Sequence, residues 1–101
     1  MTAWKAHERR IAKRLGGIRN GNRGVATADV STSWAAIECK ERKTLPQWLE
    51  SAMGQAVKAA EPDQLPLVVL HRKGQRSDND MVVLRLSDFL TWFGELVEDE
   101  Q

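Results

Sequence analysis

The chain has 101 residues, enough for one compact domain, and its 42% apolar and 29% charged residues are typical of a folded protein. No stretch approaches the ~20 apolar residues of a membrane-spanning helix, and the start lacks the apolar core of a signal peptide, so we expect a cytoplasmic protein. A single cysteine, Cys39, excludes an internal disulfide and a thiolate zinc site.

Charge is divided unevenly along the chain. Residues 1–43 contain ten Lys and Arg against four Asp and Glu, a formal charge of +6, whereas residues 44–101 contain five against ten, a formal charge of −5. A basic first half favours an anionic partner such as nucleic acid, although a solvated basic surface fits the same charge pattern.

The first half predicts one helix and two strands. Residues 3–15 are rich in helix formers and are followed by Gly16-Gly17, a pair suited to a helix C-terminus. Four glycines and two asparagines in residues 16–24 predict a turn or a mobile loop. Residues 25–30 and 34–40 then predict two strands joined as a hairpin through residues 31–33.

The second half predicts a helix, two strands and a last helix. Thr44 and Gln47 have the spacing of a capping box with Pro46 in the first turn, and the helix is expected to end near Ala60. Residues 67–71 and 81–86 predict strands, with residues 73–80 as their loop. Ser87 is expected to cap a helix whose apolar residues are Phe89, Leu90, Trp92, Phe93, Leu96 and Val97.

The order α-β-β-α-β-β-α predicts an α/β fold in which one mixed sheet is flanked by helices, within a single domain over residues 1–101. At this length the core is modest, so dimerisation would be a natural source of further burial.

The predicted strand 34–40 places chemistry on one of its faces. Side chains alternate along a strand, so Trp34, Ala36, Glu38 and Lys40 share one face. The opposite face carries Ala35, Ile37 and Cys39, which we expect in the core. A carboxylate and an ammonium two residues apart suit one phosphate-sized site, where the first would hold a metal and the second would place or activate water. A solvated face with a weak ion pair is the alternative.

Asp29 lies nine residues before Glu38, near the end of the preceding strand. Two carboxylates that converge on one site would bind a hard cation such as Mg²⁺. A tight hairpin, however, places Asp29 opposite about residue 35, roughly 10 Å along the strand from Glu38, so a bulge or a splayed strand would be needed. Alternatively, Asp29 is a turn residue that stabilises the loop at Ser31.

Two further polar residues lie on predicted helices. Glu8 falls on the apolar stripe of the first helix, where a carboxylate should meet a cation, hydrogen-bond donors or a metal-bearing cleft. Its alternative is an ion pair at the helix edge with Lys5, Arg9 or Arg10. Gln55 lies on the second helix, and the alternative interpretation is that it is only a surface residue. His7 and His71 lack metal-ligand spacing, and we interpret both as structural.

These residues resemble the core of the PD-(D/E)XK nuclease superfamily, which has an Asp on one strand and Glu-x-Lys on the next. The matching segments are ADV at 28–30 and IECK at 37–40, while HERRIAKRLGG at 7–17 resembles the Glu-bearing first helix of archaeal-type and phage Holliday-junction resolvases. Gln55 resembles a glutamine of the family's active site. The proline usual before the Asp is Ala28 here, and the spacing to Glu38 is short.

The resemblance implies a restriction-endonuclease-like core and metal-dependent hydrolysis of DNA phosphodiesters. Asp29, Glu38 and the Cys39 carbonyl would hold Mg²⁺ or Mn²⁺, and Glu8 would bind the metal or its waters. Lys40 would orient or deprotonate the attacking water, and Gln55 would position Lys40 or that water. The candidates for DNA backbone contacts are Arg9, Arg10, Arg19, Arg23, Arg42 and Lys43.

The function expected from this resemblance is cleavage of branched DNA by a homodimer, with apolar residues of the last helix such as Trp92 and Phe93 at the interface. Phosphate contacts carry no sequence information, so such an interface would read DNA shape. A non-catalytic DNA-binding module of the same fold, and a nicking, flap or restriction-type nuclease, are the alternatives.

Overall fold

Helices and short antiparallel strands alternate along the chain in a computed structural model that describes residues 3–21 and 27–98. The elements are α1 (Ala3–Leu15), β1 (Ile18–Arg19), β2 (Val30–Ser31), β3 (Ala36–Ile37), α2 (Gln47–Ala59), β4 (Val68–Leu70), a 3-10 helix (Ser77–Asn79), β5 (Met81–Val83) and α3 (Leu86–Glu98). The α/β class expected from the sequence is confirmed. The chain divides into two compact units, the first comprising Met1–Lys43 with Phe93–Gln101 and the second Thr44–Trp92.

The strands in the described ranges form two antiparallel sheets, β1-β2-β3 and β4-β5, so the prediction of one mixed sheet is wrong for this part of the chain. Each sheet pairs strands that are neighbours in sequence. A parallel pair needs a crossover of a dozen residues or more, and the connection from β3 to β4 through α2 is long enough for one. These two strands nevertheless belong to different sheets, so the parallel pair that a mixed sheet requires is missing from the described ranges.

Gly16 and Gly17 end α1 as predicted. Gly16 has a φ of +67° and the amide of Gly17 donates to the carbonyl of Ala12 at 2.7 Å, which is the arrangement of a Schellman motif. The chain then enters β1 directly, inside the segment that was predicted to be only a turn or loop. Because β1 follows this sharp reversal, it lies against the helix it has just left.

Most of the buried apolar side chains of the first unit belong to α1 and β2, and one more, Val97, belongs to α3. Val30 on β2 is completely buried, and Ala12 and Leu15 on α1 are buried as well. Val30 pairs with Arg19 on one side and Ile37 on the other, which makes β2 the central strand. The core of this unit therefore holds in place the strand that follows Asp29.

In the second unit, α2 begins two residues later than a Thr44 cap would require. Pro46 is the N-cap residue, and its carbonyl accepts hydrogen bonds from Leu49 and Glu50, with no side-chain cap. The predicted capping box is therefore wrong, because an extended Pro46 lies between Thr44 and the first turn. The helix ends at Ala59, near the predicted Ala60.

The β4-β5 hairpin pairs Val68 with Val83, Val69 with Val82 and Leu70 with Met81. Both strands are shorter than predicted.

The last helix, α3, begins at Leu86, and the amide of Phe89 donates to Arg85. Ser87 consequently lies inside the first turn and is not its cap, as had been predicted. A non-helical Phe93 (φ −124°, ψ 22°) interrupts the helix. Among the described residues, no helix is both long and apolar enough to cross a membrane.

Candidate functional site

The loop between β2 and β3 sets the register of the candidate site. Its backbone closes with a hydrogen bond from the Thr32 amide to the Ala35 carbonyl, and the Thr32 hydroxyl accepts from the amides of Trp34 and Ala35 at 3.1 and 2.9 Å. The turn therefore spans residues 32–35 rather than 31–33. Val30 pairs with Ile37, and one further step of that register brings Asp29 opposite Glu38.

The expected offset of roughly 10 Å between Asp29 and Glu38 was therefore wrong. The turn over residues 32–35 removes this offset, because residues that a tight hairpin would have paired lie in the loop instead.

Asp29 contacts the segment that carries Glu38 and Lys40. Its Oδ2 accepts a hydrogen bond from the backbone amide of Cys39 at 2.9 Å, and its own carbonyl accepts from the amide of Asn20. Regular pairing between β2 and β3 stops at Val30 and Ile37, so the carboxylate of Asp29 continues the ladder beyond its last backbone pair. A carboxylate that receives an amide hydrogen bond in this way is held in a defined position.

The alternation predicted for residues 34–40 is confirmed only in part. Ala36, Glu38 and Lys40 are exposed, whereas Ala35, Ile37 and Cys39 are half-buried rather than in the core. Trp34, which was predicted to share the open face, is half-buried as well. Glu38 and Lys40 thus share the open face.

Glu8 is the only charged side chain among the buried residues of the described ranges. Its Oε1 accepts a hydrogen bond from Nε of Arg19 at 2.8 Å, and the two side chains are 8% and 22% exposed. The Arg19 guanidinium also lies 5.9 Å from the ring centre of Trp4. The cation that Glu8 was expected to require therefore comes from β1 and not from Lys5, Arg9 or Arg10, since β1 packs on α1.

Glu8, Asp29, Cys39 and Lys40 line one cavity of about 350 Å³. Its remaining lining residues are Trp4, Glu41 and Arg42. A second cavity of about 200 Å³ is also lined by Glu8 and Asp29, and its other lining residues are Trp4, Arg19 and Gly21. Four residues predicted from the sequence as site residues therefore share a concave surface on the first unit.

The Cys39 thiol, which lines this cavity, has a raised pKa. Burial is the largest cause, and the charges of Asp29, Glu8 and Glu38 raise this pKa further, in that order. Lys40 and Arg42 line the same cavity, so both signs of charge are present there.

Within residues 3–21 and 27–98, no three side chains of His, Cys, Asp or Glu form a ready-made metal-binding group. Mg²⁺ is commonly held by one or two carboxylates together with waters and substrate phosphates, so it does not need such a cage. Asp29 lines the cavity, whereas Glu38 is exposed and is not among the described lining residues. A metal held by Asp29, Glu38 and the Cys39 carbonyl therefore stays a prediction.

The remaining candidate residues are placed as follows. Gln55 is exposed on α2 in the second unit, and its role towards Lys40 stays a prediction. Arg23 lies outside the described residues. Of the other proposed DNA contacts, Arg19 is engaged by Glu8, and four are exposed, namely Arg9, Arg10, Arg42 and Lys43.

Sequence reasoning missed Asn20, which organises the approach to Asp29. Its Nδ2 donates to the carbonyl of Ala28 and to the hydroxyl of Ser31, both at 2.7 Å, in addition to the backbone bond from its amide to Asp29. An asparagine in a glycine-rich segment is typical of a turn, so its role became visible only once β1 was known.

Comparison with protein-family models, with curated proteins and with solved structures finds no match to this chain.

Proposed function

We propose that this protein is a metal-dependent DNA endonuclease with a PD-(D/E)XK-type site and a restriction-endonuclease-like core, acting on branched DNA such as Holliday junctions. The observation that carries the proposal is the contact of Asp29 with the backbone between Glu38 and Lys40. The family motif requires an Asp and a Glu-x-Lys from adjacent strands to act at one place, and the register provides that adjacency.

In this proposal, Asp29, Glu38 and the Cys39 carbonyl hold Mg²⁺ or Mn²⁺, and Glu8 binds the metal or its waters. When bound, the metal would lower the pKa of a water molecule that it holds and would stabilise the negative charge that develops around phosphorus. Lys40 orients the attacking water as an ammonium or takes its proton as a neutral amine. The water oxygen forms the new bond to phosphorus while the bond to the leaving sugar oxygen breaks, and that oxygen takes up a proton from solvent.

Two features of the described residues support these roles. The side chain of Lys40 makes no hydrogen bond or ion pair with another described residue, so its ammonium is available to water or phosphate. Arg42 lines the same cavity, where a guanidinium suits a DNA phosphate. A homodimer would allow symmetric cuts in two strands, and α3 exposes apolar side chains such as Trp92 for that purpose.

The test is cleavage of a labelled four-way junction in Mg²⁺, Mn²⁺ or EDTA, with duplex, flap and plasmid DNA as further substrates. We expect metal-dependent cleavage of the junction. Lys40→Ala and Glu38→Gln should each slow it by about 100-fold or more while junction binding remains measurable. Lys58→Ala and Glu61→Gln, which change exposed residues of the second unit, are the matched controls.

Undiminished cleavage by Lys40→Ala or Glu38→Gln would rule out the assigned site. Binding of junction DNA without cleavage in either metal would identify a non-catalytic DNA-binding module. Preference for flap or plasmid DNA would retain the nuclease and change its substrate.

A further inference from the structure

The loop of the β4-β5 hairpin concentrates positive charge in the acidic half of the sequence. Residues 44–101 contain five Lys and Arg against ten Asp and Glu, yet three of the five cations lie within residues 72–76. These are Arg72, Lys73 and Arg76, and no acidic residue lies among them. We refer to residues 71–79, all of which are exposed, as the hairpin tip.

Backbone hydrogen bonds give the hairpin tip a defined conformation. The amide of Gln75 donates to the carbonyl of Arg72 at 3.0 Å, and Gly74 at the third position of this turn has a φ of +90°. That combination is typical of a type II turn, in which the third residue needs a positive φ. The short 3-10 helix Ser77–Asn79 follows.

The two acidic side chains near the tip leave much of its positive charge uncompensated. Asp80, just after the tip, accepts from Nδ1 of His71 at 2.6 Å. Asp78 lies 3.8 Å from Arg76, and both side chains are more than four-fifths exposed, so their attraction is weak. The side chains of Arg72 and Lys73 have no partner among the described residues.

We propose that the hairpin tip is a second DNA-binding element, in which Arg72, Lys73 and Arg76 contact backbone phosphates. The major groove of DNA admits a two-stranded β-ribbon, and β4-β5 is such a ribbon. Guanidinium groups bind phosphate oxygens in a bidentate manner. A lipid surface fits less well, because residues 71–79 contain no large apolar side chain that would insert into it.

This inference rests on DNA being the partner in the proposed function, but it does not require cleavage. Its test is therefore the anisotropy of a labelled four-way junction and a labelled duplex in EDTA, titrated with wild type and with Arg72→Gln/Lys73→Gln over a series of salt concentrations. Lys58→Gln is the control, because it removes an exposed cation of the same unit from outside the tip.

We expect the double variant to raise Kd at least roughly tenfold near 0.1 M salt, and to reduce the slope of log K against log salt by about 1.8, which is 0.9 for each lost phosphate contact. Lys58→Gln should leave both quantities unchanged. Circular dichroism and the unfolding midpoint should match wild type for both variants, since the substituted side chains are exposed and unpaired.

The outcomes separate this inference from the nuclease proposal. If the wild type cuts the junction in Mg²⁺ while the double variant binds DNA with unchanged Kd and slope, the tip is no DNA contact and the nuclease proposal stands. If the wild type never cuts but the variant binds more weakly with a smaller slope, the tip proposal stands alone. The tip proposal would be overturned if the wild type did not bind DNA. It would also be overturned if the double variant weakened binding to phosphatidylserine vesicles and not to DNA.

Discussion

The candidate site of the first unit and the hairpin tip of the second unit hold their charged side chains in different ways. In the first unit Glu8 is buried with Arg19, and Asp29 is tied to the backbone of Cys39, so charged groups are held by specific partners. In the second unit α2 has no buried residue, and the hairpin tip presents its cations to solvent. Fixed carboxylates around a cavity suit chemistry, whereas exposed cations on a hairpin suit contact with an extended anion.

The largest difference is expected between the buried arginine–carboxylate pair of the first unit and the most exposed such pair of the second. Arg19→Ala leaves the carboxylate of Glu8 buried without its cation, and should lower the free energy of unfolding by about 3 kcal/mol. Arg76→Ala breaks a long, exposed pair with Asp78 and should change it by less than about 0.5 kcal/mol. Urea unfolding followed by circular dichroism measures both.

Glu8→Gln in the Arg19→Ala background provides the control for this comparison. It removes the stranded charge, so the double variant should be more stable than Arg19→Ala alone. Equal losses for Arg19→Ala and Arg76→Ala would show that Glu8 is not buried with its charge, and the contrast between the units would fail.

Two glycines should respond in opposite directions. A Cβ on Gly17 would lie 2.7 Å from the Ser31 carbonyl oxygen and 3.0 Å from Cγ1 of Val30, so Gly17→Ala should cost about 1–3 kcal/mol of unfolding free energy. A Cβ on Gly54, within α2, meets nothing within 4 Å. Gly54→Ala should therefore stabilise the protein by about 0.5–1 kcal/mol, since alanine favours the helix.

The same denaturant titration compares these two variants. If Gly17→Ala left the free energy of unfolding unchanged, α1 and β2 would be packed less closely in solution than in the structure. A destabilising Gly54→Ala would mean that the exposed face of α2 is covered in solution.

The helices were predicted well because their signals are local. The bounds of α1 are those expected from its composition and its glycine end, and α2 and α3 differ by one or two residues from expectation. The starts of α2 and α3 were predicted wrongly. The N-cap residue of α2 is Pro46 and not Thr44, and the first turn of α3 donates to the carbonyl of Arg85 instead of being capped by Ser87.

The strands and the site depend on tertiary contacts, and the sequence predicted them less completely. Of the strand predicted over residues 34–40, only Ala36–Ile37 is a strand in the structure, and β1 was missed because glycines around it indicate a turn. Missing β1 also concealed the partner of Glu8. The register that brings Asp29 opposite Glu38 depends on two hydrogen bonds to the Thr32 hydroxyl, a choice of turn that composition does not determine.

The smallest expected effect concerns the Cys39 thiol, whose pKa is raised by burial and by Asp29, Glu8 and Glu38. Its reaction with iodoacetamide should have a pH midpoint above that of an exposed thiol, whose pKa is about 8.5. Ser51→Cys in a Cys39→Ser background places a thiol on the exposed face of α2 for comparison. Asp29→Asn should lower the Cys39 midpoint, whereas Glu61→Gln should not change it.

The same shift fixes the sign of a pH effect on stability. At pH values below the pKa of this thiol in the unfolded chain, the thiol is protonated in both states and does not make the free energy of unfolding depend on pH. Between that pKa and the higher pKa of the folded state, the folded protein retains the proton that the unfolded chain has lost, so the free energy of unfolding falls as pH rises. Cys39→Ser should remove this part of the alkaline decline. A Cys39 midpoint at or below that of the α2 thiol would show that the three carboxylates do not converge on this point, and the first unit would lose the feature that distinguishes it from the second.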